Sequence, residues 1–456
     1  MLERVRRALD VAAQALDQLE LAEGIELSEE LAPALIKSKL VAETTMLLRC
    51  SAFLTESDAE IARMHDVLAR RLVAHARGEH LLAMLCQDPG SALDHAAAHI
   101  HLQALDHVDA GVEMLLQDVL ADGELASPER PPHHELEHHW LRQIASGAVA
   151  GSLCDAGLLS RCCVARPLDA LGSTTQDLYA FTHVVLHATD MGRRAALFPR
   201  PLQAIEADAE AALAAALDAG NFDLSAELLW TWPMLGRPWS APAILAFHVL
   251  TREQDAHGFL PGPGYRAQAA HQLSEPQRQA YQLQTSYHAS FVMGFLCAAA
   301  LRPGRAPMAS PLSALHNSGP RPGETRRGSA PSSVETPALL SLLAPRPEAI
   351  AWRAAMAELD AGQQATLADF VLAVVLRRAA ASRDPDLLRA GLSSAVELNL
   401  ADGPSVRQAL AWLRRTILLA RVIRTTDAGP SAIGSAMKPP GIADHGQPTA
   451  VPASFA

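Results

Sequence analysis

An all-α fold is predicted by three features of this 456-residue sequence. Apolar residues make up 49% of it, and alanine and leucine dominate that share, which favours helices. Aromatic residues make up only 4%, and the clusters of Val, Ile, Tyr and Phe that favour strands are scarce. Apolar residues also recur every three or four positions between short turns that contain Gly or Pro, as on the buried face of a helix. A chain of this length is expected to form one large helical assembly or two packed lobes.

The N-terminal third is predicted to form a series of helices. The opening helix carries one apolar stripe, whose members are Leu2, Val5, Leu9, Ala12, Leu16 and Leu19. A second helical pattern covers residues 31–54, and Ser57-Asp-Ala-Glu60 is a capping box that opens a third helix towards Ala76. After a turn at residues 88–90, a helix is predicted over 91–120. The Pro-rich connector 127–132 then leads into a helix that begins at His133.

The next helix carries the candidate site. It is predicted to begin at Asp177, and Gly192 and Pro199 are expected to end it. Four polar side chains share one of its faces, namely Tyr179, His183, His187 and Asp190. The apolar residues 184–186 occupy its other sides. A helix that is apolar almost all round with one polar seam is typical of a buried element that faces an internal cavity.

Further helices are predicted over residues 202–217, 221–232, 242–250 and 274–301, so the main helical domain is expected to span 1–301. Residues 302–337 are rich in Pro, Gly and Ser and are predicted to be a disordered linker. Helical patterns return over 338–427, a C-terminal segment expected to pack on the main domain. Residues 428–456 are predicted to be a disordered tail.

Charge and hydropathy exclude several classes of partner. The formal net charge of -12 argues against a nucleic-acid partner, because phosphate binding needs a concentrated basic face. The sequence contains no uncharged apolar run of about 18 residues and no apolar signal-peptide core, so no membrane partner is predicted. The six cysteines lack the spacing of a disulfide framework or a zinc finger. We therefore expect a cytoplasmic protein with free thiols.

The succession of helices and short turns favours stacked helix hairpins. Such hairpins form either a closed (α/α) toroid, in which the inner helices converge on a central cavity, or an open helical solenoid. The pattern Gln254-x-x-x-Gly258-Phe259 is similar to the Gln/Asp-Gly-aromatic turns of terpene cyclases, prenyltransferases and other toroidal proteins. This similarity implies the toroid, and the solenoid remains the alternative.

A second resemblance covers roughly residues 1–300. Its motifs are Pro128-Glu-Arg-Pro-Pro-His133 with Glu137 and Trp140-Leu141, Tyr179-x-x-Thr-His183, Asp190-x-Gly192, and Asn221-Phe-Asp223 with Glu227. Together they resemble an uncharacterised all-helical family of actinobacteria that occurs in specialised-metabolite gene neighbourhoods. The resemblance implies a bacterial protein of such a pathway. His187 departs from the family pattern, which has an aromatic residue there more often.

The candidate catalytic residues are His183, Asp190 and Glu227. Glu227 lies among apolar residues, where a carboxylate is costly unless it has a partner, and His183 is the expected partner. Asp190 lies two helical turns from His183, about 10 Å along the axis, so the two would act on opposite ends of one ligand. The alternative is structural: a buried histidine bonded to a carbonyl and an aspartate that caps a turn.

Three residues are predicted to bind substrate: Tyr179, Asp223 and Asp255. No cofactor is predicted, because the sequence lacks a Gly-rich phosphate loop, a Gly-x-Ser-x-Gly elbow, an Asp-rich magnesium motif and paired Cys motifs. His183 and His187 have a spacing that suits a metal, but no glutamate lies between them as in metalloproteases, so no metal site is predicted.

Two hypotheses for function follow. In the first, the cavity binds a small molecule or peptide and modifies it by acid/base chemistry, as a tailoring or accessory protein of a bacterial specialised-metabolite pathway. In the second, the chain is a non-catalytic helical scaffold or regulator that binds a protein partner, and the polar seam is internal packing. The sequence leaves open whether the protein is an enzyme.

Overall fold

Helices account for the regular secondary structure of the described residues, which are 1–21, 35–121, 129–147, 156–307 and 335–427 of a computed structural model. The all-α prediction is confirmed for these residues, while the choice between toroid and solenoid stays a prediction. No helix among them is long and apolar enough to cross a membrane. The chain divides into two compact units, Met1–Ala409 and Leu410–Ala456.

The helices up to the candidate site are α1 (Leu2–Glu20), α2 (Lys37–Ser51), α3 (Ala59–Ala76), α4 (Glu79–Gln87), α5 (Ala92–Gln103), α6 (Ala110–Ala121), α7 (Pro132–Ala145), α8 (Ala156–Arg161) and α9 (Thr175–Thr189). They are followed by α10 (Leu202–Asp218), α11 (Phe222–Leu235), α12 (Ala241–His257), α13 (Ala267–His271) and α14 (Glu275–Ala300). The C-terminal helices are α15 (Glu335–Ser341), α16 (Ile350–Ala357), α17 (Ala361–Ala365), α18 (Ala368–Ser382), α19 (Pro385–Glu397) and α20 (Pro404–Asp427).

The first and last helices of the predicted main domain pack against each other. Val5, Leu9, Ala12 and Leu16 of the apolar stripe are buried, and α1 lies along α14. Gly294 permits their close approach, because a Cβ at this position would lie 2.5 Å from the Cβ of Ala8. The two helices therefore join parts of the sequence that are almost 300 residues apart, and so fix α14 next to the site.

Helix α9 begins slightly earlier than the sequence suggests. Thr174 is its N-cap, and Asp177 is the third residue of a capping box in which each side chain binds the other's backbone N–H. Asp177, the predicted first residue, thus lies in the first turn of the helix and bonds to the N-cap residue Thr174. At the other end, Asp190 adopts the left-handed conformation with φ 50°. This ends the helix and turns the Asp190 side chain away from the line of the earlier polar residues.

Helix α11 is the most enclosed of the helices that carry the site. It packs against α9, α10, α12 and α14, and every residue from Asp223 to Met234 is buried. Trp230 stacks on Phe295 of α14, with ring centroids 5.1 Å apart. Polar side chains on this helix can therefore reach partners only on the neighbouring helices.

The compact unit continues through the C-terminal helices as far as Ala409. Helix α18 packs on α10, where Arg378 forms a buried ion pair with Asp218 at 2.7 Å. Of the predicted linker, residues 302–307 form turns and 335–337 belong to α15, whereas 308–334 lie outside the described residues. The predicted tail 428–456 also lies outside them.

Candidate functional site

Four ionisable side chains from three helices meet at one place. Asp223 and Glu227 lie one turn apart on α11, His288 comes from α14 and Glu43 from α2. Nε2 of His288 lies 3.4 Å from Oε1 of Glu227 and 3.7 Å from Oδ1 of Asp223. Nδ1 of the same imidazole lies 3.1 Å from Oε1 of Glu43. Three carboxyl groups thus surround one imidazole, and we call these four residues the acidic cluster.

Hydroxyl groups of α9 hold one oxygen of each carboxylate on α11. Tyr179 donates to Oδ2 of Asp223 at 2.6 Å, and Thr182 donates to Oε2 of Glu227 at 2.5 Å. The other oxygens, Oδ1 of Asp223 and Oε1 of Glu227, point towards His288. Oδ1 of Asp223 is buried and has no hydrogen-bond partner among the described residues.

The acidic cluster lies below the surface, and we use the word recess for the place where the imidazoles of His288 and His183 meet solvent above its two α11 carboxylates. The side chains of Asp223 and Glu227 are only 4% and 7% exposed, whereas that of His288 is 28% exposed. His183 stands at the rim with a 41% exposed side chain, and its Nε2 lies 3.9 Å from Oε2 of Glu227. Solvent-sized molecules can therefore reach both imidazoles, while the carboxylates below are shielded from bulk water.

The two carboxyl groups of α11 differ in acidity. Burial raises the pKa of Asp223, and the neighbouring charge of Glu227 adds to this effect. Burial alone would also raise the pKa of Glu227, but its contact with His288, the charge of His183 and the bond from Thr182 outweigh burial and lower it. The environments thus push the two pKa values apart, an arrangement that enzymes use to assign one carboxyl as acid and another as base.

The negative surroundings also act on His288. Burial alone would lower its pKa, but the charges of Glu43 and Asp223 and the contacts with Glu227 and Glu43 raise it well above the ordinary value. Burial raises the pKa of the Tyr179 phenol, and the Asp223 charge raises it further. Tyr179 therefore remains a hydrogen-bond donor to Asp223.

Four of the predicted site residues come together here: Tyr179, His183, Asp223 and Glu227. Asp190 lies in a different set of contacts, because Arg49 binds both of its oxygens, at 2.7 and 2.8 Å, and Trp140 donates its indole N–H to Oδ1 at 2.7 Å. The left-handed backbone at Asp190 directs its carboxylate to these partners. Asp190 therefore joins α9 to α2 and α7 and makes no contact with the acidic cluster.

Asp255 also lies apart from the acidic cluster. Its side chain is 54% exposed and forms ion pairs with Arg4 at 2.8 Å and Arg7 at 2.9 Å on α1. The nearby turn at Gly258-Phe259 borders a cavity of about 240 Å³. Ser286 and Ser290 of α14 line that cavity, and the helical repeat places them on the opposite side of α14 from His288.

His183 and His187 differ sharply in environment. Their ring centroids are 5.9 Å apart, but His187 is buried against Trp140, and burial lowers its pKa to about 3. Within the described residues, the group of potential metal ligands whose donor atoms converge is Asp223, Glu227 and His288, all within 4.8 Å of one another. The potential ligand atoms that converge thus come from α11 and α14, whereas the histidine pair noted in the sequence lies on α9.

His288, Glu43 and Thr182 were not identified from the sequence as site residues. A usable signal did exist for two of them. Glu43 follows the apolar residues 40–42, and His288 lies just before the apolar C-terminal half of α14; an ionisable group that is buried at such a place is costly without a partner. What the sequence lacks is the pairing itself, because His288 is 61 residues from Glu227 and meets it only through helix packing.

The family model of DUF6895, a domain of unknown function, matches residues 5–298. The chain belongs to this family. No curated protein and no solved structure matches the chain. The DUF6895 match spans every residue of the acidic cluster together with Tyr179, Thr182 and His183, and it ends just before the C-terminus of α14.

Proposed function

We propose that the protein binds a small molecule or peptide in the recess above Asp223 and Glu227 and catalyses a proton transfer on the bound molecule. His183 accepts a proton from the bound molecule and returns one, and Glu227 is the buried anion that stabilises the imidazolium formed in between. Tyr179 and Asp223 bind the polar part of the ligand. The observation that carries this proposal is the position of a half-exposed imidazole 3.9 Å from a carboxylate that is only 7% exposed.

Catalysis of this kind needs the carboxylate to stay charged and the imidazole to reach the ligand. The lowered pKa of Glu227 supports the first requirement, and the exposure of His183 supports the second. The reaction is a proton transfer, so it is balanced without any oxidant or reductant. A proton leaves one atom of the ligand and either returns to another atom or exchanges with water.

The wider role is proposed from the sequence resemblance. Its motifs favour a tailoring or accessory protein of a specialised-metabolite pathway in an actinobacterium, and we propose the cytoplasm as its location. Membership of the DUF6895 family is compatible with this role and names no reaction.

Solvent deuterium exchange tests the proposal without knowledge of the substrate. The full chain is incubated in D₂O with a small-molecule extract of the source bacterium, and mass spectrometry follows deuterium uptake. We expect at least one compound to gain deuterium with the wild-type protein and with the surface control Asp386→Asn, but not with His183→Gln. Identical spectra for the wild type, for His183→Gln and for buffer would overturn the proposal.

A non-catalytic scaffold is the second candidate, and one observation favours it. A buried polar network with an evident packing role occurs elsewhere in this fold, where Arg378 forms an ion pair with Asp218 and the same aspartate accepts from the Trp352 indole at 3.3 Å. On this view the acidic cluster is another internal network. Substitution of its members would then lower the free energy of unfolding by several kcal/mol, as loss of a buried network does, and no compound would gain deuterium.

A further inference from the structure

We propose that the recess holds a divalent transition-metal ion, bound by Oδ1 of Asp223, Oε1 of Glu227 and Nε2 of His288. This inference rests on the proposed function, since it assigns an ion to the same recess, with His183 left free at the rim. The metal ligands differ from the histidine pair that the sequence draws attention to.

The three donor atoms are arranged as ligands of one ion. Nε2 of His288 lies 3.4 Å from the Glu227 oxygen and 3.7 Å from the Asp223 oxygen. With metal–ligand bonds of about 2.0–2.2 Å, neighbouring ligands of a tetrahedral ion are roughly 3.4 Å apart. The two distances from His288 are close to this spacing, and the two carboxylate oxygens lie within 4.8 Å of each other, so movement of the side chains can complete the coordination.

Each proposed ligand has a second polar group beside it. Tyr179 binds the other oxygen of Asp223, Thr182 binds the other oxygen of Glu227, and Glu43 faces the other nitrogen of His288 at 3.1 Å. A carboxylate that faces the far nitrogen of a histidine ligand is a recurrent feature of metal sites, because it fixes the tautomer and orients the ring. Hydrogen bonds thus hold the two carboxylates, while His288 faces a carboxylate at ion-pair distance.

Asp223 supplies independent evidence for a bound cation. Its side chain is 4% exposed, and Oδ1 has no hydrogen-bond partner among the described residues although it points at the centre of the cluster. A buried carboxylate oxygen without a partner is unfavourable, and most such atoms in native proteins have one. An ion at the proposed place would bind this oxygen directly.

The ligand types indicate which metal is expected. Two carboxylates and one imidazole are hard and borderline donors, which suit Zn²⁺, Mn²⁺ or Fe²⁺ better than Cu⁺, which prefers sulfur. Three protein ligands leave at least one coordination position open towards the recess. An ion there supplies Lewis-acid chemistry to a bound ligand, beside the imidazole of His183.

Titration of the metal-free full chain with Zn²⁺, followed by calorimetry at constant pH, tests this inference. The titration uses no substrate, so a negative result overturns the metal site and leaves the deuterium-exchange test of the proposed function unaffected. We expect the wild type and a control with a substituted surface carboxylate, Asp386→Asn, to bind one tight equivalent. Asp223→Asn should bind more than about 100-fold more weakly, beyond the loss typical of an outer residue.

Two further variants separate the buried site from surface histidines. The start of α7 carries His133 and His134, which can bind Zn²⁺ loosely, and this binding should be the same in all variants. Tyr179→Phe keeps all three ligands and removes only the donor to Asp223, so a loss of roughly 10- to 100-fold is expected. If Asp223→Asn does not fold, His288→Gln is titrated instead. Equal Zn²⁺ affinity in the wild type and the ligand variant that folds, or no tight equivalent in the wild type, would overturn the inference.

Discussion

Thr182 donates its hydroxyl to Oε2 of Glu227 at 2.5 Å, and this bond joins the two helices that carry the candidate site. The next residue in the chain is His183. Its Nε2 lies 3.9 Å from the same carboxylate oxygen, on the side that is exposed to solvent. The buried Thr182 hydroxyl therefore binds this oxygen, and the more exposed His183 imidazole lies on its solvent side. This geometry connects the packing of α9 on α11 to the proposed chemistry.

Thr182→Val should destabilise the protein because it leaves a buried carboxylate oxygen without its donor. The expected loss in free energy of unfolding is about 1–3 kcal/mol, measured by urea denaturation. Thr251→Val is the matched control, since Thr251 is partly buried and, among the described residues, its hydroxyl bonds only to the carbonyl of His248 in its own helix. Equal losses for the two variants would show that the bond to Glu227 has no special weight.

Arg49→Met should destabilise the protein more strongly. It leaves the partly buried carboxylate of Asp190 with the Trp140 indole and the more distant Arg193, and removal of one partner from a buried pair costs about 3 kcal/mol or more. The control is Arg389→Met in the exposed pair with Asp386, for which a change within about 1 kcal/mol is expected. A loss of that small size for Arg49→Met would contradict a structural role for Asp190.

Gly294→Ala should weaken the packing of α1 on α14. The added methyl group would lie 2.5 Å from the Cβ of Ala8, and overpacking of this kind typically costs about 1–3 kcal/mol. The double variant Ala8→Gly with Gly294→Ala should recover much of this loss, as measured by thermal or urea unfolding. Purely additive effects of the two substitutions would argue against the close contact.

The free energy of unfolding should fall as the pH drops from about 6.5 towards 4. Burial lowers the pKa of His65 to about 4 from an ordinary value of 6.5, so the unfolded chain takes up a proton in this range and the folded protein does not. The stability contributed by neutral His65 is thus present above pH 6.5 and is lost as the pH falls through its folded pKa. The slope is about 1 kcal/mol per pH unit for one such proton.

His65→Gln provides the comparison. In the wild type the Ser51 hydroxyl lies 2.9 Å from Nε2 of His65. The glutamine side chain of the variant can still bond to Ser51, but it does not titrate. The variant should therefore show a shallower fall in stability between pH 6.5 and 4, determined by urea denaturation at each pH. Parallel curves for the variant and the wild type would contradict the lowered pKa.

Local patterns in the sequence were sufficient for the fold class and for part of the site. The helical spacing of Tyr179 and His183, and that of Asp223 and Glu227, correctly places each pair on one side of its helix, because this depends only on the helical repeat. Asp190 follows the same spacing in the sequence, but its side chain does not lie on the face of Tyr179 and His183. The helix ends at Asp190 in the left-handed conformation, which turns the carboxylate towards Arg49.

Contacts between distant helices could not be obtained in this way. The sequence suggests His183 as the partner of Glu227, yet the imidazole closest to Glu227 belongs to His288, at 3.4 Å against 3.9 Å. Which face of α14 meets α11 depends on packing along the whole of both helices, including the close approach at Gly294. One sequence without this packing does not specify the pairing.

The free energy of unfolding of Asp223→Asn tests most directly whether the acidic cluster is a functional site. Asparagine keeps an oxygen for the Tyr179 hydroxyl and removes the charge of a carboxyl group whose pKa burial and Glu227 raise, so a site built for function should be equally stable or more stable without it. We predict an unfolding free energy equal to or above that of the wild type, measured by urea denaturation of the metal-free protein at neutral pH. A loss of about 3 kcal/mol or more would contradict the account, because it would identify Asp223 as part of a structural network.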